Sequence, residues 1–183
     1  RNLKNYPFVS KLDNDNAQKI IDEIKETVLT SNENSPLMFR EIDKEKLKAQ
    51  GGKLIEAHLI SPAILNSKIP SAVIIDKNEE ISVMINEEDH LRIQVIKDGF
   101  DFSEAFFLAN ACDDLIEENS EYAFSEKYGY LTSCPTNVGT GLRASVMVHI
   151  PAIVMCGKIN DLARNLNRLG IAIRGYYGEG SQG

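Results

Sequence analysis

Residues 131–143 read L-T-S-C-P-T-N-V-G-T-G-L-R and end on Arg143, an arginine leaving a glycine-rich turn. Such a guanidinium is well placed to grip an anion, because it stays protonated at working pH and can bond two oxygens at once. Arg92 and Arg174 occupy the polar face or end of two further predicted strands, in a chain whose net charge is −7. Positive charge held in position around a bound anion is what such arginines could supply. Taken singly, each of these arginines reads as a solvated surface residue. Glu87, Glu88 and Asp89 read from pattern alone as an acidic turn. Cys134 lies before a proline in a polar turn, Cys112 on the apolar side of a helix as a core residue, and Cys156 reads as structural.

Elements must hold these groups. Residues 1–11 read as an extended lead-in, with Y-P-F at 6–8 packing on the fold. Asn14 and Asp15 open a helix in which Ala17, Ile20, Ile21, Ile24 and Val28 recur at helical spacing. Residues 31–36 are a polar turn. A second helix runs from about Asp43 and is expected to break or bend at Gly51-Gly52, since each glycine costs roughly 1 kcal/mol relative to alanine. Residues 72–76 and 81–85 read as a hairpin, and 91–96 as a further strand that puts His90, Arg92 and Gln94 on one face. Asp101 with Glu104 forms a capping box for a helix carrying Phe102, Ala105, Phe106, Ala109, Cys112, Leu115 and Ile116 on one side. After the glycine turn, alternation puts Leu142, Ala144, Val146, Val148 and Ile150 inward on a strand. Arg143 is then expected on the polar face beside Arg92 and Arg174. Residues 158–169 repeat helical spacing, Gly170 stops them, and 171–174 read as a last strand.

Hairpin-joined strands with helices between them argue for an α+β fold with an antiparallel β-sheet flanked by α-helices. With 43% hydrophobic and 26% charged residues over 183 positions, the chain has the means to build one sizeable core. The acidic balance argues against direct nucleic-acid binding, which needs a basic stripe. No apolar run approaches the roughly 20 residues of a membrane helix. Three cysteines at unrelated spacings make no disulfide framework and favour a reducing, cytoplasmic setting. His58, His90 and His149 have no metal-ligand spacing, so no protein-held metal is expected. Neither a G-x-G-x-x-G turn nor a G-x-x-x-x-G-K loop is present.

The motif C-P-T-N-V-G-T-G-L-R-A-S-V at 134–146 resembles the signature of the ATP:guanidino phosphotransferases, the phosphagen kinase superfamily. So do N-E-E-D-H-L-R at 86–92 and R-G-Y-Y-G-E at 174–179, in the family's order. H-L-I-S-P at 58–62 and the run from Arg143 to Pro151 are similar to the bacterial protein-arginine kinase branch. The resemblance covers nearly all of the chain. It implies the guanidino kinase catalytic domain, glutamine-synthetase-like in fold, spanning 1–183 as a single domain truncated at both ends.

The resemblance also implies roles. Arg92, Arg143 and Arg174 match arginines that contact ATP phosphates, with Mg²⁺ arriving on the nucleotide. Glu88 matches the catalytic glutamate, Glu179 a second substrate-facing glutamate, and Cys134 a reactive cysteine. A guanidinium is a poor nucleophile, so a carboxylate that aligns it and takes its proton would help by about 10²–10⁴-fold. The implied reaction moves the γ-phosphoryl group of MgATP to arginine residues of proteins, marking them for Clp-type degradation under stress. Candidate partners are therefore arginine-containing protein substrates, a stress-response repressor and Clp chaperone–protease components, with a homodimer as a candidate assembly. Two alternatives stay open: a kinase for free arginine or another small guanidino compound, and a non-catalytic fragment or adaptor that keeps the fold.

Overall fold

The computed structural model of the chain describes residues 1–31 and 37–175. The chain divides into two compact units, Arg1–Arg143 and Ala144–Gly183. The first is built on four consecutive antiparallel strands, β1 (Phe39–Ile42), β2 (Ala72–Asp76), β3 (Ile81–Ile85) and β4 (Leu91–Val95), in that spatial order. Helix α1 (Asn14–Thr30) precedes the sheet, α2 (Lys44–Glu56) and α3 (Pro62–Leu65) lie between β1 and β2, and α4 (Phe102–Glu117) follows β4. A short hairpin, β5 (Phe124–Ser125) with β6 (Gly129–Tyr130), completes the unit. This is the α+β fold expected, an antiparallel sheet flanked by helices.

Both faces of the sheet are covered, which is why β2 and β3 are buried at every position rather than alternating. Ile74, Val83 and Ile85 face α1 and α4 and meet Ile20, Ile24, Cys112 and Ile116. Val73, Ile75 and Met84 face the other way, onto Leu47, Leu54, Leu59 and Ile64 from the α2–α3 side. All five residues of the expected α1 stripe are buried. The helix is capped by Asp13, whose side chain accepts from Asn16 N–H at 2.8 Å. Asp76 ties the β2–β3 turn by accepting from the N–H groups of Asn78, Glu80 and Ile81. The Asp101 cap of α4 forms as expected, with Glu104 N–H at 3.0 Å.

Four expectations are corrected. α2 runs unbroken through its two glycines. A Cβ on Gly51 would stand 2.9 Å from Leu65 Cδ1, so this glycine makes room for α3 to approach rather than ending the helix. β1 was not expected, because its middle residues, Arg40 and Glu41, hide two buried apolar ends. On α4 only Cys112 and Ile116 are fully buried, and Phe102 and Phe106 are exposed. The alternating run after Arg143 forms no strand, and neither do residues 171–174. Leu142 is 57% exposed instead of packed inward, and Ala144 is exposed too. Alternation becomes a strand only where another strand completes its hydrogen bonds, and among the described residues none pairs with 142–150.

In the second unit, α5 (Pro151–Met155) begins on a proline at its first turn, where a missing N–H costs nothing. α6 (Ile159–Asn167) forms within the expected 158–169 span, with Ile159, Leu162, Ala163 and Leu166 half-buried along one side, while Leu169, expected on the same stripe, lies beyond the helix and is 74% exposed. Gly170, at φ 76°, lies just beyond it.

Candidate active site

The turn between β3 and β4 carries the acidic motif. Asn86 opens it in a left-handed conformation, φ 58°, and closes it by donating its backbone N–H to His90 O at 2.9 Å. Its buried side chain donates to Ala17 O and to Pro70 O, each at 3.0 Å, fastening the turn to α1 and to the segment before β2. The three acidic residues that follow have three different surroundings. Glu87 is tucked in, its side chain 8% exposed, accepting from Ser61 Oγ at 2.7 Å and lying 3.6 Å from Arg92 Nη1. Glu88 points outward, and its Oε1 accepts from Asn137 Nδ2 at 3.4 Å. Asp89 accepts from Asn2 Nδ2 at 2.7 Å and from Ser133 N–H at 2.6 Å.

His90 is not on the polar face with Arg92 and Gln94, as alternation suggested. It is fully buried. Its Nδ1 accepts from Leu3 N–H at 3.0 Å, so Nε2 carries the proton and donates to Pro7 O at 2.9 Å. Burial holds its pKa below the ordinary value, against the Pro7 hydrogen bond and the nearby Asp89 carboxylate. The imidazole is a structural strut for the N-terminal segment.

The cysteine turn docks against the acidic one. Pro135–Asn137 forms a single 3-10 turn, and Cys134 Sγ stands 3.0 Å from Thr136 Oγ1. Asn137 then faces both ways: its amide donates to Glu88, and its Oδ1 accepts from Arg143 Nη2 at 3.2 Å. Gly139 pairs with Tyr130, close enough to Gly129 (φ 82°) that a Cβ there would meet Gly139 O at 2.5 Å. Arg1 locks the end of the turn, donating from Nη1 to Thr140 O at 2.7 Å, while its guanidinium lies 3.6 Å from the Tyr130 ring centre and pairs with Asp113.

Of the residues singled out in the sequence, Glu88, Cys134 and Arg143 thus belong to two adjoining turns, and Arg92 to β4 directly after the acidic one. Arg92 is reached from Glu87, and Arg143 from Glu88 through Asn137. Arg174 lies in the second unit, and Glu179 lies outside the described residues. Ser61, Glu87, Asp89 and Asn137 were missed as connectors, although each sits inside a motif already singled out. Cys112 is buried, which pushes its thiol up to about 12, and Cys156 is exposed. Among the described residues no group of three or more His, Cys, Asp or Glu is arranged to hold a metal ion.

Residues 18–183 match the model of the ATP:guanido phosphotransferase C-terminal catalytic domain. The chain belongs to the ATP:guanido phosphotransferases. It is 46% identical, over its whole length, to proteins named protein-arginine kinase from Caldanaerobacter subterraneus subsp. tengcongensis and from Clostridium acetobutylicum, covering 54% of each. A Geobacillus protein of the same name is 45% identical over 183 residues. The chain therefore spans about half the length of the curated relatives it matches. Lombricine kinase shares the fold with a TM-score of 0.79 at 23% identity, over all of this chain and 53% of that one. The duplicated taurocyamine kinase from Schistosoma mansoni, bound to transition-state analogue components, does so with a TM-score of 0.81 at 21% identity, over 26% of its length. The two turns described above hold this family member's N-E-E-D-H-L-R and C-P-T-N-V-G-T-G-L-R segments against each other.

Proposed function

We propose that this chain supplies the catalytic domain of a protein-arginine kinase, moving the γ-phosphoryl group of MgATP to the guanidinium of arginine residues in proteins. The observation that carries the reading is the outward carboxylate of Glu88, linked through Asn137 to the exposed guanidinium of Arg143, with Arg92 one residue-contact away through Glu87. The family match runs across both compact units, which supports treating them as one catalytic domain.

The roles follow from charge and geometry. Arg92 and Arg143 are exposed; Arg92 lies 3.6 Å from Glu87 and 3.5 Å from Gln94, and Arg143 3.2 Å from Asn137, and the five donors of each guanidinium leave room for bidentate phosphate contacts beside these. Arg174, in the second unit, takes a phosphate-binding role from the family motif alone. Glu88 aligns the acceptor guanidinium and takes its proton as the new N–P bond forms and the bond from the γ-phosphorus to the bridging oxygen breaks. Cys134 and Glu179 orient the acceptor, roles that rest on the family motifs. Mg²⁺ comes with the nucleotide and offsets phosphate charge.

The modified arginine would mark proteins for Clp-type degradation, with Clp components and a stress-response repressor as partners in the cytoplasm and a homodimer as the assembly. Identity favours protein over small-molecule acceptors: eight relatives at 43–46% are named protein-arginine kinase. The second reading, a kinase for free arginine or another small guanidino compound, is favoured by the shared fold with proteins named lombricine kinase and taurocyamine kinase. Heavy-isotope ATP offered to the full-length protein with free arginine and with a folded arginine-rich protein separates them. Acid-labile phosphoarginine on the protein, read by mass spectrometry, is the expected result. Label on free arginine alone would establish the second reading, and label on neither a non-catalytic role.

A further inference from the structure

The side chain of Arg92 is 48% exposed, and a long side chain in that setting samples many rotamers unless its neighbours fix it. Two side chains meet its guanidinium. Glu87 Oε2 lies 3.6 Å from Nη1, and Gln94 Oε1 accepts from Nη2 at 3.5 Å. Both of these are held by one short loop, residues 58–61, between α2 and α3. The Ser61 hydroxyl donates to Glu87 Oε1 at 2.7 Å, and Gln94 Nε2 donates to the His58 carbonyl. His58 adopts φ 57°, a left-handed conformation that a non-glycine residue takes up at a cost.

Each hold has a direction. A carboxylate whose two oxygens serve different donors cannot turn about its terminal bond without losing them, and Glu87 Oε2 also accepts from Glu88 N–H at 3.2 Å. An amide whose NH₂ group is engaged presents its oxygen on the opposite side, so the Gln94 bond to His58 leaves Oε1 facing Arg92. We propose that the His58–Ser61 loop is a positioning device for Arg92, setting through Glu87 and Gln94 the direction from which its guanidinium meets the nucleotide phosphates. This rests on the phosphate role given to Arg92 above. Ser61 acts through another residue and touches no reacting atom.

Calorimetric titration of MgATP into the full-length protein tests this as a double-mutant cycle. Arg92→Ala is expected to weaken binding by about 10-fold or more, the scale of a lost charge-assisted contact. Ser61→Ala is expected to weaken it by about 3- to 10-fold in the wild-type background and by no further factor when Arg92 is already alanine. Ser61→Thr keeps the hydroxyl in an extended backbone position that threonine accepts, and should restore affinity. Gln94→Ala is carried through the same cycle with the same expectation, so the outcome does not hang on one variant folding. If Arg92→Ala binds weakly but Ser61→Ala and Gln94→Ala bind normally, or lose the same factor with and without Arg92, the positioning role is overturned and the phosphate role of Arg92 stands. Normal binding by Arg92→Ala overturns the phosphate role, and the positioning role with it.

Discussion

At the scale of single residues, Glu88 and Arg143 carry separable tests. Glu88→Gln keeps an oxygen for Asn137 Nδ2 to reach, so the turn should hold its shape while the proton acceptor is lost. In the full-length protein this variant is expected to retain nucleotide affinity and lose at least about 10²-fold in turnover, the low end for a positioned base. Turnover near wild type would return Glu88 to being part of an ordinary acidic turn. Arg143→Ala should cut the rate by about 10³-fold or more, as expected for an arginine that stabilises phosphoryl transfer. Because Arg143 is exposed, its loss should change stability by no more than about 0.5 kcal/mol in a urea titration. Arg143→Lys should recover only part of the rate, since an ammonium keeps the charge and loses the fork. An alanine variant that turns over normally would remove Arg143 from the machinery. At this scale the motifs were legible and the division of labour within them was not. Which of Glu87 and Glu88 turns inward depends on the left-handed Asn86 before them and on Ser61 waiting 26 positions upstream, and neither is written in the local pattern.

At the scale of elements, the two glycines of α2 make opposite use of the same missing side chain. A Cβ on Gly52 meets nothing within 4 Å, whereas one on Gly51 presses on Leu65. Gly52→Ala should therefore stabilise the fold by about 0.5–1 kcal/mol through helix propensity alone. Gly51→Ala should gain less or lose, because Leu65 has to move; equal gains in thermal or urea unfolding would contradict the close approach of α3. The elements that could be read in advance share one property: their pattern is completed by local physics. The α1 stripe is fixed by helical period and the start of α4 by an aspartate three residues before the N–H it caps. Those that could not be read depend on distant partners. β1 exists because β2 offers it an edge, and the alternation after Arg143 stays irregular because no described strand offers it one.

At the scale of the whole molecule, the buried imidazole of His90 links stability to acidity. Its folded pKa lies below its unfolded value of about 6.5, so between the two the unfolded chain binds the extra proton. Stability from this group is complete above about pH 6.5 and declines as the pH falls below it. An NMR titration should find the His90 ring neutral, with its proton on Nε2, and a midpoint lower than that of free histidine. A midpoint above 6.5 would falsify the assignment.

The way residues 1–3 are fastened bears on the order in which the fold is assembled. The main chain of Arg1 exchanges hydrogen bonds with Leu91, 90 positions later, and its side chain reaches Asp113 and Thr140, 112 and 139 positions away. Asn2 spans to Asp89 and to Leu131. During synthesis this stretch leaves the ribosome long before anything that holds it, while α1 and the β2–β3 hairpin can form from residues already made. Closing such long loops has an entropic cost that must be met before the contacts compensate, so these are late steps. The acidic turn and the cysteine turn are pinned by those same residues. Within residues 1–143 the candidate site thus takes shape after α1 and the β2–β3 hairpin, so a chain halted before residue 140 would carry its sheet begun and its chemistry not yet assembled.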